Sequence, residues 1–467
     1  MNESSFDLVI VGGGPGGYVA AIRGAQLGMR TALVEKAELG GVCLNWGCIP
    51  TKALLRSAQV LRLAREADHY GVTLSDVRAD LPAMVRRSRE AALKLNRGVA
   101  HLMKKNGVTV FAGRGRLEGK GTLEVAAQDG KRLVLRANHI VLATGARARA
   151  LPGIVPDGLT VWTYRDALLA PVVPNRMLIV GAGAIGVEFA SFYRAVGVEV
   201  TLVEMAGRIL PAEDEEVSQA MERALARESM AIRTGVSVGG MSRVGNCWRV
   251  QLNRASDGTS EQIEVDVVLV AAGIVGNVED LGLENTAVKV ERTHIVTDGL
   301  GRTGEPGVYA IGDVAGPPWL AHKASHEGVA CIEAIAGLDA HALDPARIPA
   351  CTYSHPQVAS VGLTEAQARA QGHTVKVGRF PFTGNGKAVA MGAADGFVKV
   401  VFDDATGEML GAHMIGDEVT EMIQGYAIAR TLETTEAELQ ASVFPHPTMS
   451  EAMHEAVLAA WSRAIHI

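Results

Sequence analysis

One glycine pattern occurs twice in this chain, in the same frame, and that repeat restricts the possible folds more than any other feature. Leu8–Val11 is a short apolar run followed by Gly12-x-Gly14-x-x-Gly17; Met177–Val180 is another, followed by Gly181-x-Gly183-x-x-Gly186. Each leads into an apolar helical stretch, Tyr18–Leu27 and Val187–Val196, and each stretch stops at a glycine, Gly28 and Gly197. A second strand follows in both copies, Thr31–Val34 and Val200–Val203, and ends in an acid, Glu35 and Glu204. The step from first glycine to acid is 23 positions in each. A single triplet is weak evidence in a chain with 53 glycines, whereas two in one strand–turn–helix–strand frame are strong.

The chemistry of the pattern is that of a dinucleotide site. The first glycine makes the tight turn, the second lets the backbone approach a pyrophosphate, and the third lets helix and strand pack closely. The helix N-terminus stabilises phosphate charge, and the acid accepts hydrogen bonds from a ribose. Two dinucleotides are therefore expected. A carboxylate at Glu204 would repel the 2′-phosphate of NADP, and no arginine follows at once, Arg208 lying four positions on. NAD is the expected ligand of the second copy.

At 467 residues the chain is too long for one core, and about three or four domain-sized units are expected. His139–Ala143 runs into Thr144-Gly145, and Val267–Val270 into Ala271-Ala272-Gly273, closing nucleotide-binding units at 1–150 and 151–275. Within the second, Trp248–Leu252 and Ile263–Val268 read as a hairpin through Ser256-Asp257-Gly258. Val308–Ile311, ending in Gly312-Asp313, and a helix from about Ala321 mark a central domain, 276–346. Residues 347–467 read as α+β, with strands near Ala359–Gly362 and Gly396–Val401 and helices near Glu418–Leu432 and Thr448–Ala464. A net charge of −6 offers no electrostatic reason to bind nucleic acid. No apolar stretch approaches the roughly 20 residues that span a bilayer. The polar start and five scattered cysteines are what a reducing cytoplasm predicts, with any disulfide chemical rather than structural.

Such a disulfide has one candidate, Cys43 and Cys48 in Gly40-Gly41-Val42-Cys43-Leu44-Asn45-Trp46-Gly47-Cys48-Ile49-Pro50-Thr51-Lys52. Pro50 suits a first helical turn, which puts Cys48 at a helix N-terminus, where a thiolate is stabilised. Lys52 adds a cation, and the flanking glycines fit close approach by a ligand. Zinc would need two more ligands, and Cys247, Cys331 and Cys351 stand singly, as core residues do. Two buried inert thiols are the remaining alternative, against which the glycines on both sides argue.

With Gly40–Leu55, both fingerprints, Tyr309-Ala310-Ile311-Gly312-Asp313 and Phe444-Pro445-His446-Pro447-Thr448-Met449-Ser450-Glu451 in this order, the whole chain resembles the pyridine-nucleotide-disulfide oxidoreductases. The resemblance implies two Rossmann-like dinucleotide-binding domains, a central domain and a C-terminal α+β dimerisation domain. It implies FAD on Gly12, Gly14, Gly17 and Glu35, with Asp313 at the ribityl chain and Gly115 and Ala321 as lesser contacts. It implies NAD on Gly181, Gly183, Gly186 and Glu204, with Val236 and Gly273 as minor contacts. Lys52 matches the lysine beside the flavin, and Glu188 the carboxylate that pairs with it. Cys43 and Cys48 form the redox disulfide. His446, oriented by Glu451, acts as acid/base on the partner subunit's Cys43 in a homodimer. His322, His326 and His355, for which no such partner is expected, read as structural or peripheral.

The branch it most resembles oxidises dihydrolipoamide carried by a protein of a 2-oxoacid dehydrogenase complex or the glycine cleavage system. No lipoyl-like segment precedes the first fingerprint, so the lipoyl carrier would be another protein. Trp46 departs from the aliphatic residue often found between the cysteines. A different disulfide or metal-ion reductase on the same scaffold is the nearest alternative. A glutathione-type enzyme would want basic residues near Glu204, and a mercuric-type enzyme a C-terminal cysteine pair, absent from Ala464-Ile465-His466-Ile467. A non-catalytic flavoprotein subunit would not need Cys43, Cys48 and His446 together.

Overall fold

The computed structural model describes residues 3–467, which form two compact units. The first comprises the chain up to Ala53, Ala83–Arg149 and Gly273–Leu343; the second comprises Leu54–Pro82, Ala150–Ala272 and Asp344–Ile467.

In the first unit, β1 (Glu3–Val11), α1 (Pro15–Gln26) and β2 (Thr31–Glu35) reproduce the frame read from the glycines. Then come α2 (Gly41–Trp46), α3 (from Cys48, its first residue, to Arg65) and the long α4 (Leu81–Lys105). Strands β3 (Thr109–Gly119), β4 (Thr122–Ala127) and β5 (Arg132–Leu142) follow. β1 lies at the centre of a parallel sheet, with Leu8 opposite Thr31 of β2 on one side and His139 of β5 on the other. β3 extends the sheet beyond β2, and Val308–Ala310 extends it beyond β5. Strand order therefore reverses at β1, and the crevice above its C-terminal end, at Gly12, is where such sheets bind ligands. Helix α1 and helix Ala321–Ile335 pack closely. A Cβ on Gly328 would stand 2.8 Å from the Gly16 carbonyl oxygen, so a larger residue would push the helices apart.

The second unit repeats the plan. Its parallel sheet runs Ala231–Thr234, Glu199–Glu204, Arg176–Val180, Val267–Val270, Val161–Trp162, again with the fingerprint strand in the middle. The expected hairpin is present as Cys247–Arg254 paired with Ser260–Val265, and Val236–Val244 adds a third strand. The first unit carries its own version of this antiparallel insert in β3–β4–β5, which the sequence reading missed.

Residues beyond Asp344 build a five-stranded antiparallel sheet, ordered Ala350–Thr352, Gln357–Gly362, Met409–Gly416, Phe397–Asp403, Val375–Pro381. Its core joins Phe380, Phe402 and Met414 to Tyr426 and Ala456 of helices Val419–Thr431 and Glu451–Ala460. The buried Tyr426 hydroxyl donates to the Met453 carbonyl at 2.7 Å, so it is not left unsatisfied. The last helix is shorter than the expected Thr448–Ala464. Its first acid, Glu451, turns back to hold the residues before it, as described below, and the chain leaves the helix after Ala460.

Candidate active site

The two glycine fingerprints separate structural need from ligand need. A Cβ on Gly17 would sit 1.8 Å from the Gly12 carbonyl oxygen, and one on Gly186 would sit 1.9 Å from that of Gly181. Gly12 and Gly181 have φ of +109° and +102°, and a Cβ on either would stand 2.2 or 2.5 Å from the carbonyl oxygen of Ala143 or Ala271, so neither tolerates a side chain. The middle glycines differ. A Cβ on Gly14 would come no closer than 4.0 Å to a non-neighbouring residue, at Gly41 Cα, and one on Gly183 would meet nothing within 4 Å. Protein packing does not demand glycine at either; the open space is a cradle at a helix N-terminus, which fits a pyrophosphate. The carboxylates match as well. Glu35 accepts from the Gly13 amide at 2.6 Å and the Ala37 amide at 2.8 Å; Glu204 accepts from Ala182 and Ala206, each at 2.8 Å. Both acids are thereby fixed at the ends of their strands. Arg208 donates to the Pro211 and Glu213 carbonyls, so it is committed to the backbone rather than poised for a 2′-phosphate.

The cysteine segment lies against the first cradle. A Cβ on Gly41 (φ +58°) would stand 2.7 Å from Gly14 Cα, which explains that glycine by a backbone approach rather than by the ligand alone. Cys43 is on α2, Cys48 opens α3 as expected, and Lys52 lies one turn further along. The cysteines are two thiols joined by a hydrogen bond. That bond, then burial and the charge on Cys48, push the Cys43 thiol far above its usual range, while Lys52 pulls the other way. Tyr18, which the sequence reading did not single out, sits close enough that burial and then Cys43 raise its hydroxyl.

Asp313 lies in the turn Gly312–Ala315, where burial pushes its carboxyl up against the pull of Lys323. The turn is braced by two residues absent from the sequence reading. Lys323 donates to the Gly316 carbonyl at 2.8 Å and pairs with Glu327 at 3.0 Å, while Glu327 accepts from the Gly312 amide at 2.8 Å. Their one-turn spacing on helix Ala321–Ile335 was the available signal. Ala321 opens that helix. Gly115, on β3, has Val11 3.1 Å from its Cβ position and is explained by packing. The Val236 side chain is buried in the second unit's core, so any contact it made with a nucleotide would be through its backbone. Gly273 has φ +95°.

In the second unit, His446 Nδ1 meets Glu451 Oε1 at 2.9 Å, and Glu451 Oε2 accepts from the Thr448 amide at 2.8 Å. Burial raises the Glu451 carboxyl, but the Thr448 amide and the His446 ring outweigh it and hold it below the usual carboxylate range. The His446 side chain is 78% exposed, free to face a second molecule. Glu188 is buried and accepts from the Tyr353 amide at 2.9 Å. Two expectations need correction. His355 does have an acidic neighbour, Asp417, at 3.6 Å. Cys247 is no simple core residue: its sulfur lies 3.2 Å from Arg176 and 3.4 Å from Asp266, while Cys331 is fully buried.

Two dinucleotide cradles, with a dithiol pair against the first, define a disulfide oxidoreductase that uses nucleotide cofactors. The pyridine nucleotide-disulphide oxidoreductase family matches residues 6–328 and its dimerisation domain residues 348–457, and the chain belongs to that family. Its cofactors are FAD and NAD. The chain is 53% identical to the dihydrolipoyl dehydrogenase of Zymomonas mobilis and 50% identical to that of Rhizobium etli, covering 99% of both chains in each case. The Bacillus subtilis dihydrolipoyl dehydrogenase is 46% identical over the same coverage. Among solved structures, LpdA from Mycobacterium tuberculosis superposes with a TM-score of 0.90 at 27% identity, covering 97% of this chain and 99% of that one. The HOCl-induced flavoprotein disulfide reductase RclA from Escherichia coli, as its Cu(II) complex, gives 0.86 at 27% identity, covering 98% and 99%.

Proposed function

We propose that this chain is a dihydrolipoyl dehydrogenase, oxidising protein-bound dihydrolipoamide to lipoamide with NAD as acceptor. The observation that carries the reading is the contact of Gly41 with Gly14, which holds Cys43 and Cys48 beside the first dinucleotide cradle. FAD in that cradle would pass an electron pair between the cysteines and NAD. In this scheme His446 of one subunit takes the proton of a dihydrolipoamide thiol, with Glu451 fixing the ring through Nδ1. The thiolate attacks Cys43 Sγ of the other subunit; the Cys43–Cys48 bond breaks and Cys48 leaves as a thiolate, stabilised at the start of α3. The second lipoyl thiol, once deprotonated, attacks the lipoyl sulfur of the mixed disulfide, closing lipoamide and freeing Cys43. Glu204 and the committed Arg208 support NAD over NADP.

The division into an FAD-binding domain (1–150), an NAD-binding domain (151–275), a central domain (276–346) and a dimerisation domain (347–467) belongs to the same reading. The lipoyl carrier, from a 2-oxoacid dehydrogenase complex or the glycine cleavage system, is a separate protein in it. No described helix is long and apolar enough to cross a membrane. Mild reduction of the flavin-loaded protein tests the core of the proposal: a long-wavelength charge-transfer band is expected from Cys48 and should vanish in Cys48→Ser. A spectrum without that band in the parent would overturn it.

A further inference from the structure

Trp46 takes no part in the scheme above, yet it is firmly held. The Arg89 guanidinium lies 4.3 Å from the centre of its ring, and its Nε1–H points to Glu38 at 3.4 Å. Arg89 also donates to the Asn45 carbonyl, near the end of α2, where a short helix leaves acceptors unpaired. Asn45 Nδ2 in turn donates to the Leu39 and Gly41 carbonyls, both at 2.9 Å. Seven positions along α4, Asn96 donates to the same Leu39 carbonyl at 2.7 Å, and the fully buried Ala92 lies between. Arg89, Ala92 and Asn96 thus form one stripe of α4 against the cysteine segment. Two positions before Arg89, Arg87 donates to the Ala53 carbonyl of α3 at 2.9 Å. One residue, Gly47, joins α2 to α3. Both arms that carry the sulfurs are therefore gripped by the same helix.

We propose that α4 is a clamp on the redox pair, with Arg89 and Trp46 as positioning residues that set how strongly Cys43 and Cys48 favour the disulfide. A disulfide demands a narrow geometry, with sulfurs about 2.05 Å apart and Cα atoms about 5.5 Å apart. Arms held near that geometry raise the effective concentration of one thiol at the other. The balanced exchange is enzyme dithiol plus lipoamide giving enzyme disulfide plus dihydrolipoamide: one S–S bond forms, one breaks, and two hydrogens move to the lipoyl group. Loosening the clamp shifts this equilibrium toward the enzyme dithiol. The inference rests on the reading of the pair as redox-active.

The test equilibrates the flavin-loaded protein with free lipoamide and dihydrolipoamide at fixed ratios, and follows the reduced fraction by the charge-transfer band and by thiol alkylation. Trp46→Leu and Arg89→Met should each shift the equilibrium toward dithiol by about three- to tenfold, the span of a partly exposed cation–π contact. Tenfold corresponds to about 30 mV. The double variant should shift no further than Arg89→Met alone, and Trp46→Phe, which keeps a ring under the guanidinium, should stay near the parent. An unmoved equilibrium in Arg89→Met, or Trp46→Phe shifting as far as Trp46→Leu, would overturn the clamp. A parent that exchanges nothing with lipoamide would overturn the redox reading itself, and the clamp with it.

Discussion

His446 and Glu451 are exposed and half-buried members of a pair whose geometry is set locally, within five residues of sequence. His446→Gln keeps the size and a hydrogen-bonding end but cannot shuttle a proton at neutral pH. Loss of an acid/base group of this kind costs about 10²- to 10⁴-fold. Dihydrolipoamide oxidation should fall by that order while NADH-driven reduction of an artificial dye stays near the parent rate; equal loss of both would refute this division of labour. Glu213 makes a different point. It is buried in the second unit, one carboxylate oxygen lacks a partner, and burial pushes its carboxyl up to about 7. An acid whose folded pKa is raised binds a proton in the native state that the unfolded chain has already lost. Stability should therefore fall as pH rises from the ordinary glutamate range to about 7, and level off above it. Glu213→Gln should raise Tm at pH 8 and change it little at pH 5, by an amount corresponding to about 1–3 kcal/mol. Thermal unfolding at the two pH values checks both sign and window.

At the scale of elements, the fingerprints make the sharpest claim. Gly17→Ala would drive a methyl into the Gly12 carbonyl and should cripple folding, whereas Gly14→Ala has room within the chain and should fold but hold flavin poorly. Soluble yield and bound flavin per chain separate the two effects, and Gly14→Ala with full flavin would contradict the cradle assignment. These elements were legible because turn glycines, apolar strands and terminal acids are local signals. The antiparallel insert of the first unit was not, because β3 and β4 bury few of their residues and carry polar side chains outward. Distance along the chain hid the grip of Arg89 on a segment 44 positions away and the Tyr353 amide on Glu188, 165 positions away. Such contacts depend on which helix lies where, and a residue-by-residue pattern does not encode that.

For the whole molecule, the proposal places Cys43 and His446 of one working site on different subunits, and the dimerisation domain at residues 348–457 is the part that would bring them together. Cys43→Ser and His446→Gln homodimers should both be inactive. Dimers containing one chain of each kind should regain one intact site, giving about a quarter of parental activity when chains assort at random. No recovery on co-expression would place the histidine on its own subunit's cysteine, and an active His446→Gln homodimer would remove it from the chemistry.

The most direct test of the account is the formation of NADH by the purified, flavin-loaded protein from dihydrolipoamide and NAD, with NADP in parallel. Turnover with NAD and little with NADP is the expected result, because it requires the cysteine pair, both cradles and Glu204 to work as assigned. Protein that binds flavin and dimerises yet forms no NADH from dihydrolipoamide would contradict the proposed substrate, and comparable rates with NADP would contradict the role given to Glu204.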